Sequence, residues 1–166
     1  MSIYKGLSFE PFTEQDIEVY SPIMKRSFDE DTRRHTDDST GGPDGYDNGE
    51  FLIKWYLHKD VTAYSIHQGE KPVGAIALWI KSNNENFLGN IFIDVDLQDH
   101  GLGKTIWGFV EYTYPNTKKW STETPIFSRR NHNFYVNKCG FKIVKVVEPK
   151  DIKNGSYVLE KIMRAE

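Results

Sequence analysis

Apolar residues along this chain are arranged in two kinds of pattern. In the first kind they alternate with polar residues or form short continuous runs, and these segments are predicted to be β-strands. Three of these runs follow one another in the middle of the chain, separated by polar turns at 68–72 and 82–86. Such spacing is typical of an antiparallel meander. The predicted strands span residues 7–11, 61–67, 73–80, 87–95, 118–123, 141–147 and 156–161.

Other segments repeat their apolar residues every three to four positions, which predicts amphipathic helices. The first follows Thr13 and Asp16, a hydroxyl and an acid at capping-box spacing, and Pro22 is expected to begin a second helical piece or a kink. Residues 29–49 are polar and rich in Gly and Pro, which predicts a long ordered loop. Further helices are predicted at 50–58, 101–114 and 129–138.

The predicted order is strand, helix, helix, three strands, helix, strand, helix and two strands. A strand–helix–strand crossover after a meander puts parallel neighbours beside antiparallel ones. The expected fold class is therefore α/β (α+β), a mixed, mostly antiparallel central sheet flanked by helices, in a single domain over residues 1–166.

Composition and charge narrow the function classes. Hydrophobic residues make up 38% of the 166-residue chain, and Cys139 is the only cysteine, which excludes an internal disulfide and a thiolate zinc cluster. No leader-like or membrane-spanning apolar run occurs, so a cytoplasmic protein without a membrane partner is expected.

Residues 1–97 carry a net charge of −8 and residues 98–166 a net charge of +5. This asymmetry argues against a whole-surface nucleic-acid binder and favours one anionic and one cationic partner.

A glycine-bearing turn joins a predicted buried strand to a predicted helix at Gln98-Asp99-His100-Gly101-Leu102-Gly103. The amides at a helix N-terminus are unpaired and carry partial positive charge, so they can bind phosphate. Lys104 adds a positive charge. The spacing matches neither the P-loop nor the Gly-x-Gly-x-x-Gly fingerprint. The residues alone leave a pyrophosphate site and a plain, tightly packed turn equally open.

The same six residues resemble the Arg/Gln-x-x-Gly-x-Gly signature of the GNAT N-acetyltransferase superfamily. Phe134-Tyr135-Val136-Asn137-Lys138-Cys139-Gly140-Phe141 resembles that family's Phe-Tyr-x-x-x-Gly-Phe junction, with one extra residue before the glycine. The spacing of the two motifs and the order of elements also fit, so the resemblance covers the whole chain. It implies a single-domain fold of this type, with acetyl-CoA as co-substrate.

The resemblance also implies site residues. The backbone of Ile93 and Val95 would pair with the pantetheine arm, and the amides from Asp99 to Lys104, with Thr105, would cradle the pyrophosphate. Asn131 or Asn133 would take the place of an asparagine that relatives often have where this chain has Ser128, and Arg129 and Arg130 are candidates for phosphate contact. The implied cofactor-binding residues are Ile93, Val95, Gln98, Asp99, His100, Gly101, Leu102, Gly103, Lys104, Thr105, Asn131 and Lys138.

Two catalytic roles are expected, and the first is what the resemblance implies. Tyr135 would donate a proton to the departing thiolate if the extra residue is absorbed downstream; counted back from Gly140, Val136 would occupy its place instead. Glu123 is the favoured base for the acceptor amine, with Asp94, Asp96 and His35 as alternatives. Cys139 is expected to be a buried small side chain rather than an acetyl carrier.

The acceptor is expected to be cationic. Residues 29–50 hold eight acids and two arginines, and an acidic lid would concentrate a primary amine, either a small molecule or a peptide or protein amine. Aromatic walls are expected from Tyr46, Phe51, Trp55 and Tyr56. The leading hypothesis is N-acetyl transfer by direct attack in a ternary complex. The alternatives are a non-catalytic acyl-CoA-binding or sensor module, and transfer to oxygen or of a longer acyl group. No metal is expected, and the open ends of such a sheet allow a homodimer.

Overall fold

The computed structural model describes residues 1–163, and its centre is one sheet of eight strands in the order β1-β2-β3-β4-β5-β6-β8-β7. The strands are β1 (Ser2–Tyr4), β2 (Leu7–Pro11), β3 (Thr62–Gln68), β4 (Lys71–Trp79), β5 (Glu85–Ile93), β6 (Lys119–Pro125), β7 (Lys142–Val147) and β8 (Ser156–Ile162). The α-helices are α1 (Ile17–His35), α2 (Leu102–Thr113) and α3 (Arg129–His132). Short 3-10 turns occupy Glu14–Asp16 and Val95–Leu97, and π-helical turns occupy Leu52–Tyr56 and Asn133–Lys138.

All neighbouring strands are antiparallel except β5 and β6. The helix α2 joins these two strands, and this crossover makes them parallel. The predicted fold class, a mixed and mostly antiparallel sheet flanked by helices, is confirmed. The middle strands match the predicted meander, with turns near the predicted positions.

Each face of the sheet supports a separate hydrophobic cluster. On one face, Ile106, Trp107, Phe109 and Val110 of α2 pack against large apolar side chains such as Leu88. On the other face, Tyr20, Ile23 and Met24 of α1 pack over small side chains, with alanines at 63, 75 and 77. Small residues beneath a helix let its backbone approach the sheet closely. The helix α1 therefore lies close against the middle of the sheet, near the end of β5.

The structure corrects three local predictions. The helix α1 runs without a break through Pro22 to His35, because burial of its apolar face outweighs the single hydrogen bond that a proline removes. The predicted loop therefore loses its first seven residues to α1. An additional strand, β1, pairs with β2 across a turn at Lys5 and Gly6, both of which have positive φ.

Candidate active site

The parallel strands β5 and β6 separate partway along their length. Their pairing runs from Glu85 with Lys119 to Leu88 with Thr122 and ends there. A bulge follows in β5, because Ala77 pairs with Asn90 and Leu78 with Leu88, which leaves Gly89 as the extra residue. Beyond this point β5 continues along β4 only. A gap therefore opens between the C-terminal parts of β5 and β6.

The backbone of β5 presents hydrogen-bonding groups to this gap. The Asp94 amide donates to the carbonyl of Val73 on the β4 side (2.9 Å). Because successive residues of a strand direct their N–H and C=O groups to opposite sides, those of Ile93 point to the gap. The Ile93 carbonyl accepts a hydrogen bond there from Gln98 Nε2 (2.9 Å). An extended ligand can pair with this edge as an added strand would.

The gap leads to the N-terminus of α2. The turn that precedes α2 contains two residues with positive φ, Asp99 (65°) and Gly101 (82°). The first intrahelical bond runs from the Thr105 amide to the Gly101 carbonyl (3.2 Å), and the preceding amides have no partner within the helix. A side chain at Gly103 would place its Cβ 2.7 Å from Phe134 Cε1. Glycine at this position therefore lets the helix end and the 133–138 turn share one wall of a cavity.

The cavity brings together most of the predicted site residues. Ten of them line it: Ile93, Gln98, Asp99, Gly101, Leu102, Gly103, Lys104, Asn131, Tyr135 and Lys138. Two further candidates, Arg130 and Asn133, also line it, together with Ser27, Phe28, Asp31, Ile91, Phe92, Leu97 and Phe134. The sequence assigned no site role to Ser27 and Phe28 of α1, whereas Asp31 was one of the acids of the expected lid.

Three predicted cofactor-binding residues lie away from the cavity lining. The strand β5 ends at Ile93, so Val95 is not an edge residue; it opens a 3-10 turn, and its carbonyl accepts from the Gln98 amide (3.4 Å). His100 is exposed. Thr105 Oγ1 donates to the Gly101 carbonyl (3.2 Å) and so serves the helix start.

The extra residue before Gly140 is absorbed by a π-helical turn. The Cys139 amide donates to the carbonyl of Phe134, five residues earlier (3.0 Å), and the Phe141 amide closes the helix end on the Tyr135 carbonyl (2.9 Å). Gly140, with φ 88°, supplies the left-handed residue that this ending requires. Tyr135 faces the cavity as a result, whereas Val136 packs against the core.

The Tyr135 hydroxyl lies near the point where the strands separate. Burial is the main cause that raises its pKa, the nearby Cys139 raises it further, and hydrogen bonding with Thr122 opposes the rise. Thr122 is the last β6 residue paired with β5, and its Oγ1 donates to the Leu88 carbonyl (2.9 Å). A raised pKa keeps the phenol protonated at neutral pH. Burial also raises the pKa of the Cys139 thiol to about 12, so this thiol is not a thiolate nucleophile.

Glu123 does not line the cavity. It is the first β6 residue beyond the last pair with β5, on the opposite face of the sheet from Thr122 and Thr124. Its side chain is exposed, and Oε2 accepts a hydrogen bond from Ser156 Oγ (2.6 Å). Tyr135 and Glu123 therefore approach the separation point from opposite faces.

The alternative bases are engaged elsewhere or lie outside the cavity. Asp94 is buried against Arg26 (3.2 Å), and Asp96 is exposed in the 3-10 turn. His35 is held by Asp31, with Nδ1 3.2 Å from Oδ1. Asp31 itself lines the cavity and accepts from Ser128 Oγ (2.9 Å).

A polar link joins the two sides of the gap. Arg130 of α3 donates to Gln98 Oε1, and Gln98 Nε2 donates to Ser27 of α1 (3.3 Å) and to Ile93. The sequence had placed Gln98 and Arg130 near phosphate separately. Their contact could not be predicted because it depends on how α1, α3 and the end of β5 meet.

The acids of segment 29–50 fall into two groups. Asp37, Asp44, Asp47 and Glu50 are exposed, whereas others are paired with neighbouring side chains. Asp29 accepts from Lys25 (2.6 Å) and from the Tyr46 hydroxyl (2.5 Å), Glu30 accepts from Arg33 and Arg34, and Asp38 pairs with Lys153 (3.3 Å). Burial alone would raise the pKa of Asp29, but these hydrogen bonds outweigh it and the pKa is lowered. Tyr46 and Tyr56 are buried in the α1 cluster rather than forming open walls.

Within residues 1–163, no helix is long and apolar enough to cross a bilayer. In the same part of the chain, no group of three or more His, Cys, Asp or Glu side chains is arranged to hold a metal ion.

The fold and the cavity define a protein of the acetyltransferase type, and comparison with known proteins names the family. The family model "Acetyltransferase (GNAT) family" matches residues 23–141, and the chain belongs to this family. It is 33% identical to the uncharacterized protein YrkN of Bacillus subtilis (strain 168) over 133 residues, which are 80% of this chain and 71% of that protein.

Solved structures share the fold. PaiA N-acetyltransferase from Thermoplasma acidophilum, in complex with coenzyme A, has a TM-score of 0.72 at 15% identity, with 98% of this chain and 99% of that one covered. Spermidine N-acetyltransferase from Vibrio cholerae, in complex with CoA and spermine, has a TM-score of 0.67 at 14% identity, with 95% and 96% covered. At these identities the likeness concerns the fold.

Proposed function

We propose that this protein is an acetyl-CoA-dependent N-acetyltransferase that acts on a primary amine by direct transfer in a ternary complex. The observation that carries the proposal is the separation of β5 and β6. It provides a passage through the sheet, with the Tyr135 phenol at one face and the Glu123 carboxylate at the other. Family membership adds to this support.

The residues of the cavity fit coenzyme A. The open Ile93 edge suits the amide-bearing pantetheine arm, and the α2 N-terminus suits the pyrophosphate. Lys104, Arg130 and Lys138 supply positive charge around that end of the cavity. A side chain at Gly103 would clash with Phe134 in the cavity wall. When bound, acetyl-CoA supplies an acetyl group activated as a thioester.

Two side chains would move the protons. Glu123 accepts, directly or through a water molecule, the proton that the amine loses as the new C–N bond forms. Tyr135 donates its proton to the sulfur as the C–S bond breaks and the electron pair moves to sulfur. Solvent then returns a proton to Tyr135 and removes one from Glu123. The raised pKa of Tyr135 keeps the donor form populated at neutral pH.

The test is an acetylation screen with a panel of primary amines, monitored by release of the CoA thiol. Turnover with at least one amine and a 1:1 ratio of acetylated amine to thiol would support the proposal. Saturable acetyl-CoA binding without thiol release across the panel would contradict it and favour a non-catalytic acyl-CoA sensor.

A matched pair of variants tests the base. Glu123→Gln is expected to reduce kcat about a hundredfold, because the amide cannot accept a proton. Glu70→Gln, at an exposed turn between β3 and β4, should leave kcat unchanged. An unaltered kcat in Glu123→Gln would exclude Glu123 as the base.

A further inference from the structure

A cluster of three aromatic rings on the Glu123 face of the sheet takes no part in either core cluster. Trp55 is the fourth residue of the π-helical turn Leu52–Tyr56, and His58 lies two residues after that turn. Trp79 is the last residue of β4. The Trp55 and Trp79 rings meet edge to face at 6.3 Å between centroids, and His58 lies 5.1 Å from Trp79 and 6.3 Å from Trp55. All three are only partly buried. We call these residues the aromatic box.

The aromatic box lies on the face from which an acceptor would reach the gap. Strand register puts Trp79, Phe87, Ser121 and Glu160 in one row across four neighbouring strands, and all four are half-exposed. The row on the opposite face, Leu78, Leu88, Thr122 and Leu159, is buried beneath α2. Glu123 belongs to the open face, two residues beyond Ser121 on β6.

Trp79 also reaches the separation point itself. A Cβ at Gly89 would lie 3.2 Å from Trp79 Nε1, so the indole covers the bulged residue where β5 leaves β6. Trp79 pairs with Phe87, and Gly89 is two residues further along β5. Two residues of a strand span about 7 Å. The aromatic box therefore adjoins the point where β5 and β6 separate.

The faces of these rings can bind an ammonium ion, and the ammonium group of Lys54 already lies over one of them. Lys54 Nζ lies 4.9 Å from the centroid of Trp55. His58 Nδ1 accepts a hydrogen bond from the Asp60 amide (3.1 Å), which holds the ring beside Trp79. Electron-rich ring faces favour a cation.

We infer that the acceptor of the proposed N-acetyltransferase carries a second positive charge, held by the aromatic box while the first amine is acetylated. The substrate class is a short diamine or an amine with an equivalent second ammonium group. Lys54 occupies the Trp55 ring in the free protein, and the second ammonium displaces it. This inference rests on the proposed function and adds to it the recognition of the distal charge.

The test compares 1,4-diaminobutane with butylamine, which has the same chain and lacks the second charge. The ratio of their kcat/KM values should be about ten in the wild-type protein. It should fall to about one in Trp55→Leu and in Trp79→Leu, and stay near ten in Tyr112→Leu, where the exposed aromatic residue is on α2. Equal values for the two amines in the wild-type protein, or a ratio that survives in both tryptophan variants, would overturn the inference.

The variant Lys54→Gln should change KM in a direction that a loss of side-chain packing would not produce. Removing the competing ammonium should lower KM for 1,4-diaminobutane about twofold to threefold while KM for butylamine is unchanged. A higher KM for the diamine would count against the inference.

Calorimetric titration separates failure of the inference from failure of the proposed function. If no amine releases thiol but 1,4-diaminobutane binds the wild-type protein and not Trp55→Leu, the aromatic box stands and the transferase proposal falls. If thiol is released equally with both amines, the transferase proposal stands and the inference falls. If the diamine neither binds nor reacts in preference to butylamine, the inference is wrong.

Discussion

The amide of Cys139 donates to the carbonyl of Phe134, five residues earlier, at 3.0 Å. A regular helix would bond to the carbonyl four residues earlier, so this bond accommodates one additional residue in the turn. The residue is absorbed after Tyr135, and Tyr135 keeps its place in the cavity. A single backbone bond thus settles which of two adjacent side chains faces the gap between β5 and β6.

Removing the additional residue tests this arrangement. Deletion of Asn137, which is exposed in the turn, should convert the π-helical turn to a regular one and leave Tyr135 in place. We expect the free energy of unfolding to change by no more than about 1 kcal/mol and turnover to stay within a few fold. An alanine inserted between His132 and Asn133 should instead rotate Tyr135 by about 100° and abolish turnover. Loss of activity in the deletion with activity kept in the insertion would contradict the assignment.

Tyr135→Phe removes the proposed proton donor and little else. We expect kcat to fall about a hundredfold, because the departing thiolate loses its acid, with the Kd for acetyl-CoA within about twofold of the wild type. Tyr114→Phe is the control, since Tyr114 is a half-buried tyrosine outside the cavity lining, hydrogen-bonded to the Tyr64 hydroxyl at 2.7 Å. Stopped-flow thiol release and equilibrium dialysis provide the two measurements. An unchanged kcat would remove Tyr135 from the mechanism.

Gly103→Val should block cofactor binding for a steric reason. Its side chain would meet Phe134, whose Cε1 lies 2.7 Å from the position of a Cβ, and the ring would be pushed into the cavity. The Kd for acetyl-CoA, measured by calorimetry, should rise at least about tenfold. Thr105→Val serves as the control and should bind normally, since Thr105 Oγ1 bonds to the Gly101 carbonyl instead of facing the cavity. Intact binding in Gly103→Val would show that this helix end is not the cofactor site.

Cys139→Ala should leave catalysis within a few fold of the wild type. Burial keeps the thiol protonated, with its pKa raised to about 12, so it cannot carry the acetyl group. The substitution leaves a small cavity and should lower the free energy of unfolding by about 1 kcal/mol. Mass spectrometry after mixing with acetyl-CoA should find no acetylated protein. An acetyl group on Cys139 would indicate a covalent intermediate.

The melting temperature, measured as the pH is lowered, should show the contribution of Glu30 and its hydrogen bonds from Arg33 and Arg34. Hydrogen bonds from Arg33 and then Arg34 lower the pKa of Glu30 to about 2, below its ordinary value of 4.5. A carboxylate whose pKa is lower in the folded state stabilises fully above the unfolded pKa and loses this contribution as pH falls from about 4.5 to about 2. Glu30→Gln should therefore have a slightly lower Tm than wild type at neutral pH, and the two should converge near pH 2. Parallel melting curves across this window would contradict the assignment.

Local signals in the chain were sufficient for the strands, for most helix positions and for the turn from Gln98 to Gly103. They failed where distant contacts decide the outcome. Pro22 is a helix breaker by local preference, yet burial of Tyr20, Ile23 and Met24 keeps α1 continuous to His35. Because α1 extends to His35, Asp29 and Glu30 lie on a helix where the sequence indicated a loop, and they pair there with Lys25, Arg33 and Arg34.

Local patterns in the chain were enough for the sheet and for the glycine turn before α2, because periodicity, capping and glycine conformation are local properties. The candidacy of Tyr135 came from the resemblance of its motif to that of the family. The tertiary structure alone decided the passage between β5 and β6, the placement of Tyr135 and Glu123 on its two sides, and the aromatic box of Trp55, His58 and Trp79. Each of these depends on strand register and on packing between segments far apart in sequence, for which no local pattern carries a signal.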